Sequence, residues 1–396
     1  MSVNNSKNIL DNQHYDVVII GAGIQGAGVA QAAAACGYKT LVIEKFSQAG
    51  MGTSCKSSKL IHGGLRYLES GQFKLVKECL TERKILLKNA PELVKLIDFY
   101  IPVYKNSLRP PWLIWIGLFI YSLFSLKKFT RLKKNEWSSL DGLKLDNIKT
   151  VFKYYDAQTD DQKLTRAVIH CAQKLGATVL YDANFIESSA QQNNHRLSYV
   201  KNQQRHYVTC RCIVNCTGPW VNSTQEKISP LLKTPPIELV AGTHIILNKT
   251  ISRGIYYLEA ADKRAVFVMP WKDASTLIGT TERLFTANAD SVAPTEEEKN
   301  YLLQTYNQYF KASASEENIT ACFTGLRVLP VSEQSAFNKS RESLIIHNAS
   351  SPGLVTLIGG KLTAYRASSE EVLHEIKKLL GAPETPRDCD TKKIPL

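Results

Sequence analysis

"YDVVIIGAGIQGAGVAQAAAACGYKTLVIEKF" (residues 15–46) is the stretch from which the fold is read. Val17 to Ile20 is an unbroken apolar, β-branched run, the pattern of a strand buried on both faces. Gly21, Gly23 and Gly26 follow in G-x-G-x-x-G spacing. Ala27 to Ala35 is rich in small helix formers, Gly37 ends that helix, and Thr40 to Ile43 is a second buried strand closed by Glu44. In this order the parts predict a βαβ unit. Gly21 permits the tight turn, Gly23 lets backbone approach a pyrophosphate, and Gly26 lets helix pack on strand. The helix N-terminus offers free N–H groups and a positive dipole to a diphosphate. The Glu44 carboxylate can accept both hydroxyls of an adenosine ribose and repels a 2′-phosphate, which disfavours NADP. The unit predicts dinucleotide binding but does not by itself separate FAD from NAD.

Two later strand ends also carry glycine. "CIVNCTGPWVN" (212–222) runs into Thr217-Gly218-Pro219, and "GLVTLIGGKLTAYR" (353–366) runs into Gly359-Gly360 and a helix expected from Leu362 to Leu380. Three separated glycine-bearing strand ends fit a ligand lying extended across the carboxyl edge of one sheet, and FAD has that length. Between them, "GTHIILNKTISRGIYYLEAADKRAVFVMPWKDASTLIGTTE" (242–282) alternates in short segments broken by turn residues, as in an antiparallel sheet. The expected class is α/β: a doubly wound, Rossmann-like FAD-binding domain (14–95, 150–235 and 320–396) plus an antiparallel-sheet substrate domain (96–149 and 236–319).

The 396 residues have the 44% apolar and 21% charged content of a globular chain, but a net charge of +13. That charge points to an anionic partner: nucleic acid, an acidic membrane surface or a phosphorylated ligand. No zinc-finger spacing, RNP-like aromatic motif or basic zipper helix occurs, which sets nucleic acid aside. There are nine cysteines and no CxxC pair. Cys210, Cys212 and Cys216 share one face of a strand-like run and read as core packing, so no metal is expected. Free thiols and the polar start "MSVNNSKNILDNQ" predict a cytoplasmic protein.

"SSKLIHGGLRYLESG" (57–71) gathers Lys59, His62, Gly63-Gly64, Arg66 and Tyr67 among anchoring leucines. With this stretch the chain resembles the FAD-dependent, quinone-linked glycerol-3-phosphate dehydrogenases, within the D-amino-acid oxidase-like flavoproteins. The matching stretches run in the family's order. They are "DVVIIGAGIQGAGVA", "SSKLIHGGLRYLESGQFKLVKECLTER", "LRPPWLIWIGLFIY", "VNCTGPWVN", "DKRAVFVMPW", "IGTTE", "TGLRVLP" and "IGGKLTAYR". Cys55-Lys56, Glu282 and Val328 depart from the family pattern. Longer members continue beyond the position of Leu396 into a C-terminal helical domain, and contacts made through that domain are not expected of these residues.

The resemblance implies oxidation of sn-glycerol 3-phosphate to dihydroxyacetone phosphate, hydride transfer to FAD and electron transfer on to quinone. It implies cofactor contacts from Gly21, Gly23, Ile24, Gln25, Gly26, Glu44, Lys45, Thr53, Ser57, Ser58, Lys59, His62, Gly63, Gly64, Thr217, Gly218, Gly360, Lys361, Leu362 and Thr363. Gly63-Gly64 are expected to let the backbone approach the flavin. His62 is the first candidate for the base that takes the hydroxyl proton, and His244 in "GTHIIL" is the alternative. Arg66, Tyr67 and Arg327 are expected to hold the phosphate, and Arg327 and Lys361 to stabilise negative charge. Two other readings fit the same residues: an oxidase of this fold that hands electrons to oxygen, and a catalytically degenerate flavin-binding module.

One further stretch, "RPPWLIWIGLFIYSLFSLKKFTRLKK" (109–134), joins an apolar core to a basic cluster. Its core, Trp112 to Phe124, is shorter than the ~20 residues a spanning helix needs. Lys127, Lys128, Arg131, Lys133 and Lys134 follow, and no acidic residue occurs from Phe99 to Asn135. The segment predicts peripheral attachment to the anionic inner face of the cytoplasmic membrane. The alternative is a buried core helix with a solvated basic face.

Overall fold

A computed structural model describes residues 13–69, 71–331, 343–348, 351–387 and 390–396. The strand His14–Ile20 lies inside an eight-stranded sheet. Thr40–Ile43 and Thr178–Leu180 extend the sheet on one side, and Gln204–Asn215 and Leu354–Gly359 on the other, all parallel. Ser343–His347 pairs antiparallel at the edge, and the hairpin Asn184–Gln191 and Asn194–Lys201 hangs from Gln204–Asn215. Val17, Val18 and Ile19 are wholly buried, as a strand covered on both faces requires.

Seven α-helices are described: α1 (Ile24–Cys36), α2 (Phe73–Asn89), α3 (Pro111–Ser125), α4 (Asp161–Lys174), α5 (Val221–Gln225), α6 (Glu296–Tyr309) and α7 (Tyr365–Leu380). Every residue of α1 except Gln25 is buried, because α1 is enclosed by the sheet, α4 and α7. Its alanines and glycines let all three approach. A Cβ on Gly26 would lie 1.9 Å from the Gly21 carbonyl oxygen, so only glycine closes helix on turn here.

The second sheet has ten strands. The antiparallel set Ile237–Leu247, Ile255–Glu259, Ala265–Trp271 and Ser275–Gly279 forms its centre. Val94–Tyr104 and the long antiparallel neighbour Ile148–Thr159 continue it, and Ile319–Pro330 pairs along the length of Ile237–Leu247. The antiparallel expectation for 242–282 therefore matches the described strands. The division at 150 and 320 does not coincide with the division between sheets. Ile148–Thr159 and Ile319–Pro330 fall almost wholly in segments assigned to the first domain, yet both pair in the second sheet. Their partners are distant in the chain, so local pattern carries no sign of that pairing.

The helix after Gly359-Gly360 also starts later than expected, at Tyr365 and not Leu362. Both glycines are left-handed (φ 72° and 95°), and residues 361–364 turn before the helix begins. That turn, and not the helix end itself, meets the cavity described next.

Candidate active site

One cavity of about 1490 Å³ runs from the carboxyl ends of the parallel strands to the face of the second sheet. Its first end is made by Gly21, Gly23, Ile24 and Gln25 at the start of α1, by Glu44 and Lys45, and by Thr217 and Gly218. Glu44 is 5% exposed and accepts hydrogen bonds from the amides of Ala22 (2.5 Å) and Phe46 (2.9 Å). Each carboxylate oxygen keeps a second lone pair for a sugar hydroxyl. Burial pushes the Glu44 carboxyl up, and the two amides pull it back. Lys45 lies 3.5 Å from the centre of the Trp220 ring and 2.9 Å from Asp290, bridging the strand end to a loop of the second sheet.

The second end joins residues far apart in sequence. His62, Tyr67, Ser57, Ser58, His244, Arg327, Gly360, Lys361, Leu362 and Thr363 all line it, and Thr53 lines the same cavity. The His62 amide donates to Thr363 Oγ1 (3.2 Å), and Gln25 Nε2 donates to the Lys361 carbonyl (3.4 Å). The turn after Gly360 thus touches both the first turn of α1 and the His62 loop. Lys361 Nζ sits 4.3 Å from the centre of the Tyr67 ring, a cation–π contact. Arg327 Nη1 pairs with Glu282 Oε1 (2.6 Å), and its Nη2 donates to the Thr281 carbonyl (3.1 Å), which fixes the guanidinium plane.

His244 is buried, stacked on Phe323 with ring centres 4.9 Å apart, and its Nε2 lies 3.0 Å from Ser58 Oγ. Burial first, then the charges of Lys59 and Arg327, push its pKa down to about 3. It is therefore a neutral ring across the physiological range. His62 is only half-buried.

Four of the cofactor residues named from sequence do not line the cavity: Gly26, Lys59, Gly63 and Gly64. Gly26 serves the helix–turn contact already described. The Lys59 ammonium is paired with buried Asp161 at 2.6 Å, and the same carboxylate accepts from the Ser57 amide and hydroxyl. A Cβ on Gly63 would meet Tyr121 Oη at 2.5 Å and Leu80 at 2.6 Å. Gly64 is left-handed (φ 73°), and a Cβ there would meet the Tyr67 ring at 2.2 Å. At these two glycines the space a Cβ would fill is taken by protein side chains. The side chain of Arg66 lies outside the described residues.

Sequence reasoning missed Ser54, Lys56 and Trp220, which also line the cavity. Ser54 Oγ accepts the first amide of α1, Ile24 N–H, at 2.9 Å, a cap supplied from another part of the chain. In sequence, Lys56 shows only as a departure from the family pattern, and Trp220 only as a residue following a strand end. Gln25 Oε1, Trp220 Nε1 and His244 Nδ1 are buried with no hydrogen-bond partner among the described residues. Buried polar atoms of this kind call for a partner, and a ligand in the cavity can supply one. An elongated cavity, three orphaned polar atoms and a glycine cradle fit FAD.

A family model described as FAD dependent oxidoreductase matches residues 16–366. The chain belongs to that family. It is 37% identical to the aerobic glycerol-3-phosphate dehydrogenase of Escherichia coli (strain K12), covering 91% of this chain and 73% of that protein. It is 35% identical to the D-erythritol 1-phosphate dehydrogenase of Brucella abortus (strain 2308), covering 92% and 74%. Among solved structures, the glycerol-3-phosphate dehydrogenase from Bacillus halodurans complexed with FAD superposes with a TM-score of 0.78 at 24% identity. That match covers 97% of this chain and 68% of the other. The L-alpha-glycerophosphate oxidase from Mycoplasma pneumoniae with FAD bound superposes with a TM-score of 0.76 at 17% identity, covering 97% and 99%. At these identities the superpositions establish the fold. The protein is an FAD-dependent oxidoreductase of mixed α/β architecture. Among the described residues, no helix is long and apolar enough to cross a membrane.

Proposed function

We propose that the protein oxidises sn-glycerol 3-phosphate to dihydroxyacetone phosphate and passes the electrons to a quinone. The carrying observation is that a dinucleotide cradle and a cluster of imidazole and cationic groups share one cavity. Bound FAD supplies the two-electron acceptor. Arg327, its guanidinium plane fixed by Glu282 and Thr281, is one ligand of the substrate phosphate, and Arg66 of the 57–71 loop is the second. Lys361, steadied over Tyr67, places positive charge where negative charge develops. His62 takes the hydroxyl proton. His244, with its pKa pushed down to about 3, is too weak a base for that step near neutral pH and instead orients the substrate through hydrogen bonding.

The test is anaerobic bleaching of the bound flavin. Glycerol 3-phosphate should bleach it faster than D-erythritol 1-phosphate, amino acids or unphosphorylated glycerol. A yellow protein that none of them bleaches is a flavin-binding module. Rapid peroxide formation in air, with no rate gain from quinone, identifies an oxidase.

The same reading places the protein on the inner face of the cytoplasmic membrane through α3. Only Leu118 and Tyr121 of that helix are buried, while Trp112 is 64% and Leu123 59% exposed. This disfavours the core-helix alternative. Lys127, Lys128, Arg131, Lys133 and Lys134 are exposed and make no ion pair among the described residues. Partial insertion plus basic attraction, ~1 kcal/mol per charge, gives the two signals that surface anchoring needs. Co-sedimentation with anionic vesicles should be lost when all five basic residues become Gln. Binding indifferent to salt and to those substitutions removes the proposal.

A further inference from the structure

Beneath the His62 loop lies a polar group that the reaction scheme leaves unused. Asp156, Tyr121 and Arg83 are 1%, 2% and 3% exposed, and they come from the strand Ile148–Thr159, α3 and α2. The Gly63 amide donates to Tyr121 Oη at 2.9 Å, and that hydroxyl donates to Asp156 Oδ2 at 2.6 Å. Arg83 Nη1 pairs with Asp156 Oδ1 and also donates to the Tyr155 carbonyl at 2.9 Å. The second route from Gly63 N–H, to Asp156 Oδ1, is long at 3.4 Å. The donors and acceptors therefore run one way, from amide to phenol to carboxylate, with a guanidinium balancing the charge.

We propose that Tyr121, Asp156 and Arg83 are positioning residues, which hold the backbone that carries His62 into the cavity. Removing an ion pair from water costs several kcal/mol per ion, and apolar replacements of equal volume are often as stable. Stability alone thus gives little reason to bury this pair. Its distinctive effect is to orient one phenol hydroxyl, and that hydroxyl accepts the amide next to His62. The absence of room for any Cβ at residue 63 keeps the loop in contact with the hydroxyl. The His62 amide is held by Thr363 Oγ1. Two consecutive amides are thus tied to two different elements, which restricts the imidazole to a narrow range of positions. Misplacing a reacting group by about 1 Å can cost a hundredfold in rate. Tyr121 belongs to α3, so the helix with the bare apolar face is bonded directly to the site.

This inference rests on the proposed role of His62, and the test separates the two. In Tyr121→Phe the ring fills the same space, so folding and FAD content should match wild type. Flavin reduction at saturating glycerol 3-phosphate should fall tenfold or more, with KM changed less than threefold. Hydrogen exchange at the Gly63 amide should quicken at least tenfold. Tyr154→Phe, a buried tyrosine packed 5.8 Å from the Tyr121 ring, should leave both readouts at wild-type values. Wild-type reduction rate and Gly63 exchange in Tyr121→Phe overturn the proposal. So does an equal fall in both phenylalanine variants, which marks a merely structural effect. Amide exchange needs no substrate, so it still decides the matter if glycerol 3-phosphate proves to be the wrong substrate.

Discussion

The two ends of the cavity are built by different means. At the nucleotide end, turn, helix and acid come from one run of about thirty residues, and the decisive contacts are backbone ones. Gly26 closes on Gly21, and Glu44 accepts from Ala22 and Phe46. At the reacting end, groups are held by partners from distant segments: the side chains of His244 by Ser58, Lys59 by Asp161 and Arg327 by Glu282, and the amide of Gly63 by Tyr121. Backbone geometry tolerates no substitution, whereas side-chain pairs lose function in graded steps. The comparison can be tested from the largest effect downward.

Gly26→Val should abolish flavin-loaded protein, read as flavin absorbance per mole of soluble chain. Normal loading would break the claim that local backbone contact controls this end. Asp161→Asn leaves the Lys59 ammonium buried without its carboxylate and unties Ser57. Unfolding in urea should register a loss of ~3–5 kcal/mol. If Arg327 and Arg66 hold the phosphate as proposed, each Ala substitution removes a charged hydrogen bond worth ~1.5–3 kcal/mol, so kcat/KM should fall roughly tenfold or more through KM, with FAD content unchanged. Unaltered steady-state kinetics in both variants would remove the phosphate role.

The next effect depends on pH. His244 is neutral in the folded state because its pKa is pushed down to about 3, while the unfolded ring titrates at its usual 6.5. Between those values the unfolded chain binds the extra proton. Its contribution to stability is complete above pH 6.5 and is lost as pH falls toward 3. From pH 6.5 to about pH 5 the loss is about 2 kcal/mol, and His244→Gln should flatten that part of the profile in thermal melts. The smallest effect belongs to Asp290→Asn. The Lys45–Asp290 pair is 32% and 58% exposed, so its loss is worth under ~1 kcal/mol, and FAD affinity by titration should change less than about fivefold.

Legibility followed the same division. The βαβ unit, the antiparallel character of 242–282 and the FAD family were readable from local pattern and motif. The glycine pair at 63–64 was readable as a constraint but not for its cause, because Tyr121 and Leu80 reach it from two other helices. Lys59 looked like a site cation because Asp161 lies a hundred residues away. The start of α7 was placed early because apolar spacing continues through Leu362, while two left-handed glycines redirect the chain first.

By itself the sequence determined the nucleotide-binding half. Strand burial, glycine spacing and a terminal acid are short-range requirements, and each is satisfied by neighbours in the chain. The tertiary structure decided which charges remain available to a substrate and which are neutralised within the protein. A charge is cancelled by whatever lies within a few ångströms, and around this cavity those partners arrive from segments about fifty to two hundred and fifty residues away.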